Sequence, residues 1–177
     1  MGTRFFAKKI LKSVMELILK IEPDEIYTVA YKGGHPDDDF AHVAAVLAAR
    51  NVYGSELPSL YEAPLYNSYQ SFVSRFSSFI PAPVPVIKTT LTRNNLMFKI
   101  KVMLSYRSQM WIVIIPAFLL SPLGDILKVE PYRRIPDWNY MKPPHKGKIG
   151  YETLFVWCLL HIRFSDFREA VESVMSG

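Results

Sequence analysis

Between Ile26 and Leu65 the sequence leaves little freedom of topology. Ile26 to Tyr31 is a short β-branched and aromatic run of the kind that forms a strand, and Gly33 and Gly34 break it where the backbone must turn sharply. Phe40, Val43, Ala44 and Leu47 then repeat at helical spacing through Ala49, and one of Asp37, Asp38 or Asp39 can cap the free N–H groups of that helix. A second strand-like run spans Leu60 to Leu65. Strand, crossing helix and strand make a βαβ unit, which implies a parallel pair. Polar groups at the carboxyl end of such a strand face the crevice where ligands bind in open α/β sheets. The Gly-Gly-His-Pro-Asp-Asp-Asp turn is therefore the first candidate for chemistry.

Two readings of that cluster stand side by side. The aspartates can be a solvated helix start, with negative charge at the positive end of the helix dipole. Alternatively, His35, Asp38 and His42 fall at i, i+3 and i+7, so Asp38 and His42 share a helix face with His35 just before it. Imidazole and carboxylate are zinc-type ligands, and a catalytic zinc takes three of them plus a water.

The stretch GGHPDDDFAHVAAVLAA, followed by LYEAPLY at Leu60 to Tyr66, resembles the second conserved region of the LmbE-like, or PIG-L, zinc-dependent de-N-acetylases. The preceding AKKILKSVMELILKIEPDEIYTVAY and the later KIKVMLSYRSQ, EPYRRIP and KPPHKGKIGYE fit the same layout. The resemblance covers most of the chain and is specific at HPDDD and KPPH. It implies an α/β fold, three-layer and Rossmann-like, with a partly parallel sheet and flanking helices in a single domain over residues 1–177. It also implies a zinc-dependent hydrolase that releases acetate from an N-acetylated amino sugar or a similar amide. By resemblance His35 stabilises the oxyanion or protonates the leaving amine, and Asp37 orients it. Asp38 stands in a zinc ligand's place, with His42 and Asp39 as assistants, and His145 of the Pro-Pro-His turn contacts substrate or moves a proton.

Two departures qualify that expectation. The family's second region ends His-Pro-Asp-His, whose last residue is a zinc ligand, and Asp38 occupies that place here. An earlier Ala-His-Pro-Asp-Asp-Glu region, which supplies two ligands and the general base, has no counterpart before Tyr31. The expectation is thus an amino-terminally truncated counterpart of the enzyme, incomplete or impaired alone, with missing ligands supplied by an absent segment or a partner chain. A rival alignment sets HPDDD on the first region, making His35 and Asp38 ligands and Asp37 the base. The absence of glycine from Phe40 to Ala49 and the downstream LYEAPLY favour the second region. From a different class, a non-catalytic α/β binding module or remnant of such an enzyme stays open.

Composition narrows the field further. With 177 residues, 50% apolar and 21% charged, the chain suits one globular domain and is not a disordered one. The formal charge of +5 raises anionic partners, but the basic residues are spread out. Their one cluster, Lys8, Lys9 and Lys12, lies within a helix, and no nucleic-acid motif accompanies it, so no nucleic-acid partner is expected. Cys158 is the only cysteine and sits in the apolar run LFVWCLL. It reads as a buried inert thiol, which fits a reducing compartment such as the cytoplasm. The amino terminus lacks the unbroken apolar core of a secretory signal. Met110 to Leu120 is too short for a membrane span and is broken by Pro116, so it reads as a buried strand and turn.

The remaining segments place the candidate contacts. Arg4 to Ile21 reads as an amphipathic helix with Phe6, Ile10, Val14, Leu17 and Ile21 on one face, ended by Pro23. That face can pack on the sheet or, with Lys8, Lys9, Lys12 and Lys20 beside it, lie on a membrane surface. Asn67 to Thr90 is Ser- and Pro-rich, and the alternate prolines of FIPAPVPVI restrict it to an edge or an extended loop. A helix is expected from Thr92 to Tyr106, burying Leu96, Ile100, Met103 and Leu104 and closed by Ser105, Ser108 and Gln109. Residues 130–152 combine Arg133, Arg134, Trp138, Tyr140 and His145, types that grip a sugar ring or an acidic group. Arg133, Arg134 and Tyr140 are the expected substrate contacts; the other reading is a surface loop with its aromatics packed beneath. His161 reads as a structural histidine, and a last helix capped by Ser165 docks Phe167, Val171 and Val174 on the sheet. A sheet lacking its first strand would expose an edge, so a homo-oligomer or a poorly soluble chain is expected.

Overall fold

The computed structural model of the chain describes residues 2–67, 69, 75–76, 78–106, 129–152 and 162–176. Its elements are α1 (Gly2–Ile21), β1 (Glu25–Val29), α2 (Pro36–Tyr53), β2 (Ser59–Ala63), β3 (Tyr66–Asn67), β4 (Arg75–Phe76), β5 (Ile87–Thr90), α3 (Arg93–Ser105) and β6 (Val129–Arg134). A 3-10 turn (Gly150–Glu152) and helix α4 (Phe164–Met175) follow. Cys158, His161, Ser108, Gln109 and the run from Met110 to Leu120 lie outside the described residues.

A four-stranded mixed sheet runs in the order β1-β2-β6-β5. The expected βαβ unit is present: β1 and β2 are parallel, with Ile26 opposite Leu60 and Thr28 opposite Glu62. β6 is antiparallel to both β2 and β5. Two residues each of β3 and β4 form a separate antiparallel pair. β5 leaves the proline-rich segment as an exposed edge strand, where a missing ladder donor is tolerated. β1 ends the other side of the sheet among the described residues.

Helices α1, α2 and α4 pack together, with α1 resting on α2 and α4, and α2 lying against β1. Helix α2 is buried at Val43, Ala44, Val46, Leu47, Ala48 and Ala49, nearly all round, and that explains its alanine content: small side chains let neighbours on several sides approach closely. Helix α1 meets it with Ala7, Leu11 and Ile18, while Phe6, Leu17 and Ile21 are more than half exposed. The buried face is thus rotated from the expected one, because close approach to an alanine-rich helix favours Ala7 over the bulkier Phe6. α1 stops at Glu22, which turns left-handed at φ 49° just before Pro23. Phe167, Val171 and Val174 of α4 are buried against the other helices rather than docked on the sheet. The start of α4 is held by Asp166, whose carboxylate accepts the Arg163 backbone N–H at 2.9 Å, in place of the expected Ser165 cap.

Helix α3 forms where expected, with the Thr92 hydroxyl accepting the Asn95 N–H at 3.3 Å. Its expected inner face is only half-buried, at Leu96, Ile100 and Met103, while Leu104 is exposed along with Met97 and Phe98. Lys99 ties the helix to Glu130 of β6 at 2.6 Å. No helix among the described residues is long and apolar enough to cross a membrane.

Under the helices lies a buried ion pair. Glu62 of β2 and Arg133 of β6 are cross-strand neighbours, 0% and 1% exposed. Arg133 Nε donates to Glu62 Oε1 at 2.7 Å, Nη2 lies 2.7 Å from the same oxygen, and Nη1 donates to the Ile80 carbonyl at 2.9 Å. The guanidinium also sits over the Phe79 ring, 4.2 Å from its centre. Glu62→Ala would leave a buried guanidinium without its counter-charge and is expected to cost about 3–5 kcal/mol. Urea unfolding followed by circular dichroism measures this, and a loss below about 1 kcal/mol would show the pair to be dispensable.

Candidate functional site

At the carboxyl end of β1 the chain passes through Tyr31, Lys32, Gly33 and Gly34 into α2, and Asp39 folds back from the first turn of the helix to hold that passage. Its carboxylate accepts the Lys32 N–H at 3.0 Å and the Gly33 N–H at 2.9 Å. Asp39 is wholly buried, and burial pushes its carboxyl up to about 7, with the backbone donors and the charge of Lys32 pulling the other way. Its place is therefore structural, inside the turn.

A second segment closes over this turn. Gly150 N–H donates to the Gly33 carbonyl at 2.5 Å. A Cβ on Gly150 would stand 2.7 Å from the Gly34 oxygen, and one on Gly33, at φ +68°, would stand 2.8 Å from Ile149 Cγ2. Tyr31 adds a hydroxyl bond to the Lys142 carbonyl at 2.8 Å and packs its ring among Trp138, Tyr140 and Phe167. Two turns far apart in sequence, His-Pro-Asp-Asp-Asp and Pro-Pro-His, are brought side by side.

Their histidines differ in tautomer. His35 precedes α2 as its N-cap, and its Nδ1 accepts the Asp37 N–H at 3.2 Å, so the neutral ring carries its proton on Nε2. His145 Nδ1 lies 3.0 Å from the Lys146 carbonyl and must donate to it, which leaves Nε2 as a bare acceptor. That Nε2 atom is buried and has no hydrogen-bond partner among the described residues, while the ring meets Tyr69 edge-on at 5.5 Å. His35 thus carries a donor nitrogen and His145, when neutral, an acceptor nitrogen. Asp37 is exposed at the start of the helix. Beside it, between α1 and α2, runs an apolar groove of about 700 Å³ that includes Phe6, Ile10, Val14 and Phe40.

The other expected residues are placed elsewhere. Asp38 pairs with the Lys32 ammonium at 2.9 Å. His42 points into the core, its Nδ1–H donating to the Val29 carbonyl at 2.7 Å and its Nε2 accepting from the Tyr140 hydroxyl at 3.0 Å. Burial pushes the His42 imidazole down to about 4, in keeping with this neutral pattern. Both ring nitrogens are used, so the expected meeting of Asp38 and His42 around a metal does not occur in this geometry. Among the described residues no group of three His, Cys, Asp or Glu is placed to hold a metal ion. Arg133 and Tyr140, expected as substrate contacts, are committed to the buried network. Arg134 is exposed on the opposite face, near a ladder of Tyr27, Tyr61 and Tyr132 whose rings lie 4.9 and 5.6 Å apart.

Sequence reasoning missed Lys32, Glu62 and Gly150. The signal for Gly150 was present: a glycine in a turn beside another glycine-rich turn marks close backbone approach. No family model, curated protein or solved structure matches this chain.

Gly150→Ala should push the two turns apart and cost roughly 1–3 kcal/mol. Hydrogen exchange reads this as faster amide exchange at 33–35 and 147–150 with β1 and β2 unchanged. For His42 the sign is set by its lowered value. The unfolded chain takes up the proton near pH 6.5 and the folded one only near 4, so this contribution is full above pH 6.5 and lost as pH falls towards 4. The stability difference between wild type and His42→Gln should therefore grow from pH 4 to pH 7, by up to about 3 kcal/mol. Urea midpoints for both proteins across that range test it, and a flat difference would mean that His42 titrates normally.

Proposed function

We propose that the chain is an LmbE-like α/β domain, the counterpart of the carboxyl-terminal part of a zinc-dependent de-N-acetylase. In this reading it recognises an N-acetylated amino sugar or a similar amide through His35, Asp37 and His145. The observation that carries the reading is the Gly150–Gly33 backbone contact, which sets the two most family-specific turns against each other. His35, protonated on Nε2, is suited to donate to an amide oxygen or a leaving amine, with Asp37 as the carboxylate nearest in sequence. His145, whose buried Nε2 has no hydrogen-bond partner among the described residues, would accept the amide proton once the ligand reaches it. The Rossmann-like arrangement and a reducing, cytoplasmic setting belong to the same proposal, the latter resting on the lone Cys158.

Zinc does not fit these residues alone. A catalytic zinc needs three protein ligands and a water, and Asp38 and His42 both have other partners. The proposal assigns binding and proton handling to this chain, and hydrolysis to an assembly in which another segment or a partner chain supplies metal ligands. The second reading is a binding module without hydrolysis, and the Lys32–Asp38 pair is the observation that favours it.

Titration of labelled protein with N-acetylglucosamine and with glucosamine separates the amide reading from general sugar affinity. Amide shifts are expected at 33–37 and 145–150 for the acetylated sugar only. Loss of one hydrogen bond in His35→Ala or His145→Ala should weaken binding roughly tenfold. Equal binding of both sugars, or shifts confined to other segments, would rule the amide reading out.

A further inference from the structure

The turn after β1 contains a cation of its own. Lys32 is buried, its side chain 3% exposed, and its ammonium lies 2.9 Å from Asp38 Oδ2. Its backbone N–H is held at the same time by the Asp39 carboxylate at 3.0 Å. Two successive aspartates of the first helical turn are thus directed at one residue, Asp39 at its backbone and Asp38 at its charge. Burying an ammonium is costly unless a counter-charge accompanies it into the protein. Asp38 supplies that counter-charge and is itself only 30% exposed.

Asp38 is also the residue that stands, by resemblance, where a zinc ligand would be. A metal ion bound to its carboxylate would sit against a buried ammonium, two cations competing for one anion. The other expected ligand, His42, has both nitrogens engaged in the core. We infer that the Lys32 ammonium is the resident cation of this site and stands in for the metal, so that the site as built by this chain is metal-independent. This rests on the proposed function for the position of Asp38 and for the amide-binding roles of His35 and His145; the ion pair stands on its own geometry.

The consequence for ligands is direct. With Asp38 paired internally, the turn offers the His35 Nε2–H donor and the His145 acceptor without the Lewis acid on which zinc-dependent hydrolysis relies. The ligand class it suits is a neutral polar one, such as an acetamide, held and released intact.

The test uses the full chain, purified without chelator, and reads zinc uptake and thermal unfolding. Titration of wild type with zinc should give well under one ion per chain. Asp38→Asn should lower the melting temperature, by roughly 5–10 °C, because it removes the counter-charge closest to a buried ammonium. Adding Lys32→Met in the Asp38→Asn background should restore most of that loss. Uptake of one zinc per chain that disappears in Asp38→Asn would overturn the inference, as would a melting temperature in Asp38→Asn that is unchanged or is not recovered in the double variant. Failure of the acetylated sugar to bind would defeat the proposed function while leaving this melting cycle as it is, so the two can fail separately.

Discussion

The Glu62 carboxylate is where the layers of this protein are joined. One oxygen takes Arg133 from the neighbouring strand, and the other faces Trp138 Nε1 at 3.3 Å and His42 Nδ1 at 3.6 Å. Burial raises the Glu62 carboxyl, and Arg133 opposes that rise. Strand β2, strand β6, helix α2 and the loop after β6 therefore share one charge. His42 extends the connection to Tyr140, and Tyr31 extends it to Lys142. That chain of contacts delivers residues 144–150 onto Gly33. A polar network buried this completely is demanding, because each member strands another if removed, and the same demand fixes a single arrangement.

The βαβ unit was legible because its signals are local. Two β-branched runs, a pair of glycines and a helical repeat need no knowledge of the rest of the chain. Less legible was the placing of Arg133 and Tyr140, expected as substrate contacts, in the buried network. Arginine and tyrosine grip ligands and fill cores with the same chemistry, and nothing near Arg133 in sequence announces Glu62, its partner across the sheet. His42 was misleading for the same reason: its spacing to Asp38 is real, but its ring turns to the Val29 carbonyl on the strand below. On α1, hydrophobicity pointed to Phe6, whereas closeness of packing selected Ala7.

The candidate site combines what the sequence marked with what it concealed. His35, Asp37 and His145 were marked, and the turns that carry them do meet. Concealed were the devices that hold those turns: Asp39 folded back on the Lys32 and Gly33 amides, and Gly150 pressed against Gly33. Of the three aspartates, one holds backbone, one holds an ammonium and one is exposed. Identical residue types in a row thus take three different parts, decided by which way each step of the helix turns its side chain.

The Tyr31–Lys142 bond spans 111 residues of sequence, and the Gly33–Gly150 contact spans a comparable stretch. Helices α1 and α2 with strands β1 and β2 are close in sequence and can associate early, since short loops lose little entropy on closing. The paired glycine turns cannot be completed then, because half of their backbone belongs to a part of the chain made much later. On the ribosome the emerging amino-terminal unit would hold an open glycine turn, closed only when residue 150 has left the exit tunnel. His35 takes its place with the start of α2, whereas the turn that carries His145 depends on contacts more than a hundred residues away.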